Sequence, residues 1–239
     1  MDVFRRKHIL GNTDVNMHKK LKTSSLFNLM QEAASEHCLH LGFGSEYTMN
    51  RGFLWVITRQ KAEFFSLPSY EDEITIETWP GPTRHVIYPR YYRILDKAGN
   101  VLINASSVWT LIDANTRSVA GYDRHGIRID GTVTGNEISL PRSPEQIPFS
   151  RELEFVVPYS YLDLNGHMNN TRYFDLAEDI IPSPADGDIL KSLTVEYSNE
   201  VLMNETIRLQ IGQDGKKYYI CGDTDKHIFK LFLDYSNQI

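Results

Sequence analysis

The sequence predicts an α+β fold in which one architecture is built twice in tandem: a long helix wrapped by a curved antiparallel sheet. Three observations predict it. The order strand, helix, four strands runs over residues 3–112 and recurs over 152–235. In each copy an amphipathic helix precedes a β-rich run, and its apolar stripe can be buried only against a sheet face. Finally, Asp14-Val15-Asn16-Met17-His18 has the D-x-N-x-H spacing of Asp163-Leu164-Asn165-Gly166-His167, each ahead of a predicted helix.

The elements follow in order. Residues 3–10 alternate as a strand does, and Ser24 or Ser25 is placed to cap a helix whose Leu26, Leu29, Met30, Ala33, Ala34, His37 and Leu41 recur at helical spacing until Gly42. Strands are expected near 52–66, 72–80, 86–96 and 101–112, with Asp96-Lys97-Ala98-Gly99-Asn100 as a hairpin turn. Residues 113–150 are rich in Gly, Pro, Asp and Asn and read as a crossing linker. A strand at 152–158 and a helix at 171–181, stopped by Pro182 and Pro184, then lead to strands at 191–199, 205–212, 216–222 and 227–235, with Gly212-Gln213-Asp214-Gly215 turning one hairpin. A helix wrapped by a curved meander is the hotdog shape, so the expected fold is a double hotdog. Its domains are 1–113, a linker 114–150, and 151–239.

Composition bounds the function. With 41% hydrophobic, 23% charged and 11% aromatic residues, the 239-residue chain is that of a soluble globular protein. Twenty-five basic against 31 acidic residues give a net charge of −6, which argues against general nucleic-acid binding. The N-terminus lacks the apolar run of a signal peptide or membrane span, so the expected location is cytoplasmic. Cys38 and Cys221 are too few for a disulfide framework and too far apart for a CxxC motif, and both read as buried thiols.

The chemistry concentrates in Asp163-Leu164-Asn165-Gly166-His167-Met168-Asn169-Asn170, between Pro158 and the second helix. Asp163, Asn165 and His167 are alternate residues on an irregular loop and can share one face. The run Val195-Glu196-Tyr197-Ser198-Asn199-Glu200 reads as a strand ending in a second carboxylate, Glu200, the natural fourth member. The plainer reading is a turn and helix cap, since Asp and Asn favour both and Asn169 or Asn170 would cap the helix. No His spacing points to a metal, and no cofactor is implied.

These residues carry a family resemblance. The run from Tyr159 to Tyr173, with Leu193-Thr194-Val195-Glu196-Tyr197-Ser198-Asn199-Glu200 after it, resembles the acyl-acyl carrier protein thioesterases, the double-hotdog enzymes that end fatty acid synthesis in bacteria and plastids. So do Leu26 to Ala34, Glu77-Thr78-Trp79-Pro80, Arg93, Asp96, Gly99, Ser107, Trp109 and Asp113 in the first half. The resemblance implies that the catalytic acid, amide, imidazole and second acid are Asp163, Asn165, His167 and Glu200. Two departures stand out: Tyr161 replaces an acid expected two before Asp163, and Val201 replaces the cysteine that plant members carry after the second acid, which makes a cysteine nucleophile at that site unexpected.

The implied reaction is hydrolysis of the thioester of fatty acyl-acyl carrier protein (acyl-ACP), with an acyl-phosphopantetheine as substrate. Glu200 can act as general base toward water while Asn165 and His167 orient it or polarise the carbonyl, or Asp163 can be base or nucleophile through a transient anhydride; the residues leave both open. The start of the 171–181 helix adds a positive dipole end. An apolar slot is expected along Leu26, Leu29, Met30 and Ala33, beside Trp55, Val56, Trp79 and Trp109. Arg5, Arg6, Lys7, Lys19, Lys20 and Lys22 form the densest basic cluster and are candidates for docking the acidic carrier. Asp14, Asn16 and His18 read as a structural copy, because Leu67-Pro68-Ser69-Tyr70 offers no counterpart of Glu200. The alternatives are an acyl-CoA thioesterase and a non-catalytic acyl-thioester-binding protein, the latter disfavoured by two retained carboxylates; a hotdog dehydratase fits less well. Two hotdogs in one chain form a pseudo-dimer, so monomer and homodimer are both open.

Overall fold

A computed structural model describes residues 3–132, 138–181 and 188–237. The chain divides into two compact units, 1–141 and 142–239. In the first, β1 (Phe4–Ile9) is followed by α1 (Thr23–His40), the short α2 (Ser45–Met49), β2 (Phe53–Phe64), β3 (Glu73–Pro80), β4 (Tyr88–Leu95), β5 (Val101–Asp113) and a single turn, α3 (Tyr122–His125). The strands are hydrogen-bonded in the order β1-β3-β4-β5-β2, and every pair is antiparallel.

The second unit holds β6 (Phe149–Val156), α4 (Arg172–Ile180), β7 (Asp188–Tyr197), β8 (Thr206–Asp214), β9 (Lys217–Asp223) and β10 (His227–Asn237). Its strand order is β6-β8-β9-β10-β7, again antiparallel and the same permutation as in the first unit. Each unit is a hotdog, and the chain is a double hotdog.

Only three strands of each unit form a simple meander. β2 pairs with β5, and β7 with β10, so the connections 65–72 and 198–205 cross to β3 and β8, beside β1 and β6, rather than closing tight hairpins. This topology sets up the site. Because β6 runs antiparallel to β8 with Val156 opposite Thr206, the chain leaving β6 and the chain entering β8 emerge side by side.

The helices bury the faces that periodicity marks. Leu26, Phe27, Leu29, Met30, Ala33 and Ala34 of α1, lying on β3 and β1, are at most 5% exposed. The shorter α4 buries Tyr173, Phe174, Leu176 and Ala177, with the Tyr173 ring 4.6 Å from that of Phe229 on β10.

Three details differ from expectation, and one falls where the structure is not described. α1 starts at Thr23 with Lys22 at its N-cap; Ser24 and Ser25 are not caps but lie buried in the first turn. β8 runs through Gly212 to Asp214, and the turn is Gly215-Lys216; a Cβ at Gly212 would stand 2.6 Å from the Ile147 carbonyl oxygen, so this glycine serves a close approach and not a turn. Pro182 and Pro184, expected to stop α4, lie outside the described residues. The described part of the 114–150 segment is no open linker. Ala120, Ile127 and Ile129 pack with Phe53, Tyr88 and Leu111, the Tyr88 hydroxyl donates to the Ile127 carbonyl at 2.8 Å, and the Ser106 hydroxyl donates to the Ser139 carbonyl at 2.7 Å. Those isolated apolar residues are too sparse to carry a period, and they pack within the first compact unit.

Cys221 is buried, whereas Cys38 is half-buried and accepts from the Arg90 guanidinium at 3.1 Å. The same buried guanidinium donates to His37 Nδ1 and to Thr78 Oγ1, each at 3.2 Å. Burial, then the charges of Arg90 and His40, lower the His37 imidazole from 6.5 to about 4. The unfolded chain therefore binds the extra proton between these values, and the stability this ring contributes is complete above pH 6.5 and drains as pH falls towards 4. His37→Gln is expected to flatten the fall in urea midpoint over that window; an unchanged slope would mean that other groups govern it.

Candidate active site

The D-x-N-x-H loop of the second unit is a tight, internally bonded turn. After β6 the chain makes one 3-10 turn at Tyr159–Tyr161, and an antiparallel bridge between Leu162 and Met168 encloses the motif. The Asp163 carboxylate organises it: Oδ1 accepts from the backbone N–H groups of Asn165 (2.8 Å) and His167 (3.2 Å). The Asp163 N–H donates to the His167 carbonyl at 2.8 Å, and Gly166 takes a φ of +78°, the left-handed region that suits glycine. Asn169 Oδ1 accepts from both the N–H and the hydroxyl of Thr171 at 2.9 Å, an Asx turn ahead of α4; the N-cap is Thr171 itself, with no side-chain cap bond, so neither Asn169 nor Asn170 takes the expected capping role.

The connection entering β8 then fastens to this loop. His167 bridges with Leu202, and the Met168 N–H donates to the Val201 carbonyl at 2.9 Å. Glu200 is thereby held beside the imidazole, with Oε2 3.5 Å from His167 Nε2. Asp163 and His167 are half-buried, Asn165 and Glu200 exposed. The four predicted residues thus form two side-chain pairs on this loop and the connection fastened to it. The Asp163 carboxylate is engaged by its own turn, with Oδ2 3.5 Å from the Asn165 amide nitrogen, while Glu200 reaches the imidazole.

Tyr161, which stands two before Asp163, stacks under the Arg172 guanidinium at 5.5 Å; burial, then Asp179 and Asp175, push its phenol above the ordinary value. Burial pushes the Tyr197 phenol well up, and its hydroxyl donates to the Asn170 carbonyl at 2.9 Å. Both phenols therefore stay protonated at neutral pH. Tyr159, Leu164, Leu202 and Met203 leave large apolar side chains exposed around the polar group. Sequence reasoning passed over this rim; an apolar Leu164 inside an otherwise polar turn is the signal that marks it.

The first unit has the same backbone skeleton in a different register. Asn16 Oδ1 accepts from the N–H groups of His18 (3.0 Å) and Lys20 (3.1 Å), the Asn16 N–H donates to the Lys20 carbonyl, and Val15 bridges Leu21. Lys20 bridges Ser69, and the Leu21 N–H donates to the Pro68 carbonyl. Asn16 thus takes the place of Asp163, His18 of Asn165, Lys19 (φ +60°) of Gly166, Lys20 of His167 and Leu67 of Glu200. The lettered match between the two motifs is two residues out of step. Asp14 corresponds to Tyr161, and holds His8 Nε2 and the Gly11 N–H at 2.9 Å.

Two further expectations in the first unit are answered by packing. Leu26, Leu29, Met30, Ala33 and Trp79 are core, while Trp55, Val56 and Trp109 remain half-buried. The basic cluster is largely spent internally: Arg5 pairs with Glu77, Arg6 with Glu32 and Glu36, Lys7 with Glu73, and Lys20 Nζ donates to Ser69 Oγ.

Residues 1–123 match the model of the acyl-ACP thioesterase N-terminal domain, and residues 145–232 that of its C-terminal domain. The chain belongs to the acyl-ACP thioesterase family. It is 25% identical to oleoyl-acyl carrier protein thioesterase 2, chloroplastic, of Arabidopsis thaliana over 231 residues, covering 85% of this chain and 61% of that one. To a palmitoyl-acyl carrier protein thioesterase, chloroplastic, of Cuphea hookeriana it is 24% identical over 214 residues, 83% of this chain and 52% of the other. The chain therefore spans between half and two thirds of the length of these curated relatives. Among solved structures, an acyl-ACP thioesterase from Bacteroides thetaiotaomicron superposes with a TM-score of 0.84 at 20% identity, covering 98% of both chains. The 12:0-ACP thioesterase from Umbellularia californica gives 0.81 at 21%, covering 99% of this chain and 98% of that one. Both share the fold of this family member.

Asp163→Asn keeps the Oδ1 acceptor, as Asn16 does in the first unit, and is expected to leave the loop and the fold's stability nearly unchanged. Asp163→Ala strands two backbone N–H groups and should cost about 1–2 kcal/mol. Denaturant unfolding of the two variants checks the difference; equal losses would show that the carboxylate charge, and not the acceptor, holds the turn.

Proposed function

We propose that this protein hydrolyses the thioester of fatty acyl-ACP, releasing free fatty acid. The observation that carries the reading is the His167–Glu200 pair, 3.5 Å apart on a loop fixed by Asp163, in a chain whose two halves match the two domains of this family. Glu200 is the general base and Asp163 a positioning residue in this reading, because Asp163 Oδ1 accepts two backbone N–H groups of the turn whereas Glu200 reaches the imidazole.

In the proposed reaction, Glu200 takes a proton from water through or beside His167, and the water oxygen attacks the acyl carbon. The Asn165 amide, exposed at the tip of the turn, donates to the oxyanion that forms. Collapse breaks the carbon–sulfur bond, and the proton passes to the departing phosphopantetheine sulfur, leaving a carboxylic acid and a free thiol. The exposed Tyr159, Leu164, Leu202 and Met203 offer apolar contact to the incoming arm. In the first unit the α1 stripe is buried and so offers no open slot, while Trp55 and Trp109 are half-buried.

Hydrolysis of C8 to C18 acyl-ACPs and acyl-CoAs, read as released thiol, tests the reading. His167→Ala and Glu200→Gln are each expected to lower kcat/KM by roughly 10²–10⁴-fold, and Asn165→Ala by about 10²–10³-fold. Asp163→Asn should lose far less than Glu200→Gln; the reverse order would make Asp163 the reacting carboxylate. Faster turnover of CoA than of ACP substrates would move the assignment to acyl-CoA. Tight binding without turnover on either carrier would make the protein an acyl-thioester binder.

A further inference from the structure

We propose that the hairpin of β9 and β10 carries a binding site for one thiophilic divalent cation of the zinc class, formed by Cys221, Asp223 and His227. Cys221 and Asp223 are two residues apart on β9 and share a face of the strand. His227 opens β10 directly opposite Asp223. All three donors therefore lie within seven residues on one hairpin, and no long loop has to be ordered to bring them together.

Their separations are those of ligands around a small cation. The Cys221 sulfur is 3.7 Å from Asp223 Oδ2 and 3.7 Å from His227 Nδ1, and Nδ1 is 2.8 Å from Asp223 Oδ1. With bonds of about 2.3 Å to sulfur and 2.0–2.1 Å to nitrogen and oxygen, tetrahedral ligand atoms stand roughly 3.3–3.6 Å apart. The sulfur and imidazole contacts fall on different oxygens of Asp223; taken one atom per residue the donors lie within 4.8 Å of one another, so a small turn of the carboxylate sets one oxygen toward the ion in exchange for the Nδ1···Oδ1 hydrogen bond. Among the described residues, no other trio of His, Cys, Asp or Glu converges in this way.

The chemistry of the donors selects the cation. A thiolate, an imidazole and a carboxylate together suit zinc and its neighbours over magnesium or calcium, which take oxygen donors. Three protein ligands leave the fourth position to water. A divalent ion takes the place of the Cys221 thiol proton and balances the two negative ligands. Binding at Nδ1 moves the ring proton to Nε2, which is buried without a hydrogen-bond partner; the site is therefore weaker than one whose outer contacts are satisfied.

This site shares no residue with the His167–Glu200 group, and its test is independent of hydrolysis. The full chain is titrated with Co²⁺. One equivalent is expected to produce a near-ultraviolet thiolate-to-cobalt charge-transfer band that Zn²⁺ displaces. Cys221→Ser abolishes the band, His227→Gln weakens binding by more than roughly tenfold, and Cys38→Ser, which removes the other thiol, leaves both unchanged. X-ray absorption at the zinc edge of the unmutated protein, which needs no variant to fold, should show one sulfur near 2.3 Å with nitrogen or oxygen neighbours near 2.0–2.1 Å. No stoichiometric binding, a band that survives Cys221→Ser, or a zinc shell without sulfur would each overturn the proposal.

Discussion

Two backbone N–H groups and one carboxylate oxygen decide the geometry of the second unit's site. Once Oδ1 of Asp163 has taken the N–H groups of Asn165 and His167, the turn has one conformation, the Asn165 side chain projects from its tip, and the imidazole lies along the strand side. The ladder does much of the rest. Pairing of β6 with β8 sets the chain entering β8 against the loop, the bridge from His167 to Leu202 fixes the register, and Glu200 lies beside Nε2. A slip of one residue in that bridge would turn Glu200 to the other face.

The first unit shows how much of this is architecture. Its strand permutation is identical, its loop closes through the same bonds, and Asn16 supplies the acceptor that Asp163 supplies in the second. Lys19 even tolerates the left-handed backbone that Gly166 occupies. What differs is the outward chemistry: Lys20 and Leu67 stand where His167 and Glu200 stand. A lone motif of this spacing is therefore weak evidence of a reaction, and the carboxylate on the neighbouring connection is what gives the second copy its chemical content.

Much of this was legible in the letters, because it depends on local rules. Alternation and helical spacing found the strands and both long helices, and Gly166, Pro158 and the Asp/Asn pair announced an irregular loop. What was not legible depends on partners distant in sequence. Nothing in residues 52–66 says that β2 pairs with β5 across the sheet, and Ala120, Ile127 and Ile129 carry no period, so a packed segment read as linker. The two motifs were aligned by their letters, whereas backbone bonds align them two residues away, since a hydrogen-bond skeleton constrains acceptors and φ angles more than side-chain names. Arg5, Arg6 and Lys7 looked like a docking patch because their partners, Glu77, Glu32 and Glu73, lie on other elements. Cys221 and His227 stayed apart for a related reason: a hairpin joins them, not a familiar spacing.

The shared skeleton also means that this protein contains its own blueprint for moving a site. The two loops are interchangeable as scaffolding and differ as equipment, so a handful of side chains at positions 16, 18, 19, 20 and 67 separates a bare mount from a furnished one. Duplication thus gave the chain a spare socket whose backbone is already built, in which new chemistry can be installed one side chain at a time without the fold having to be discovered again.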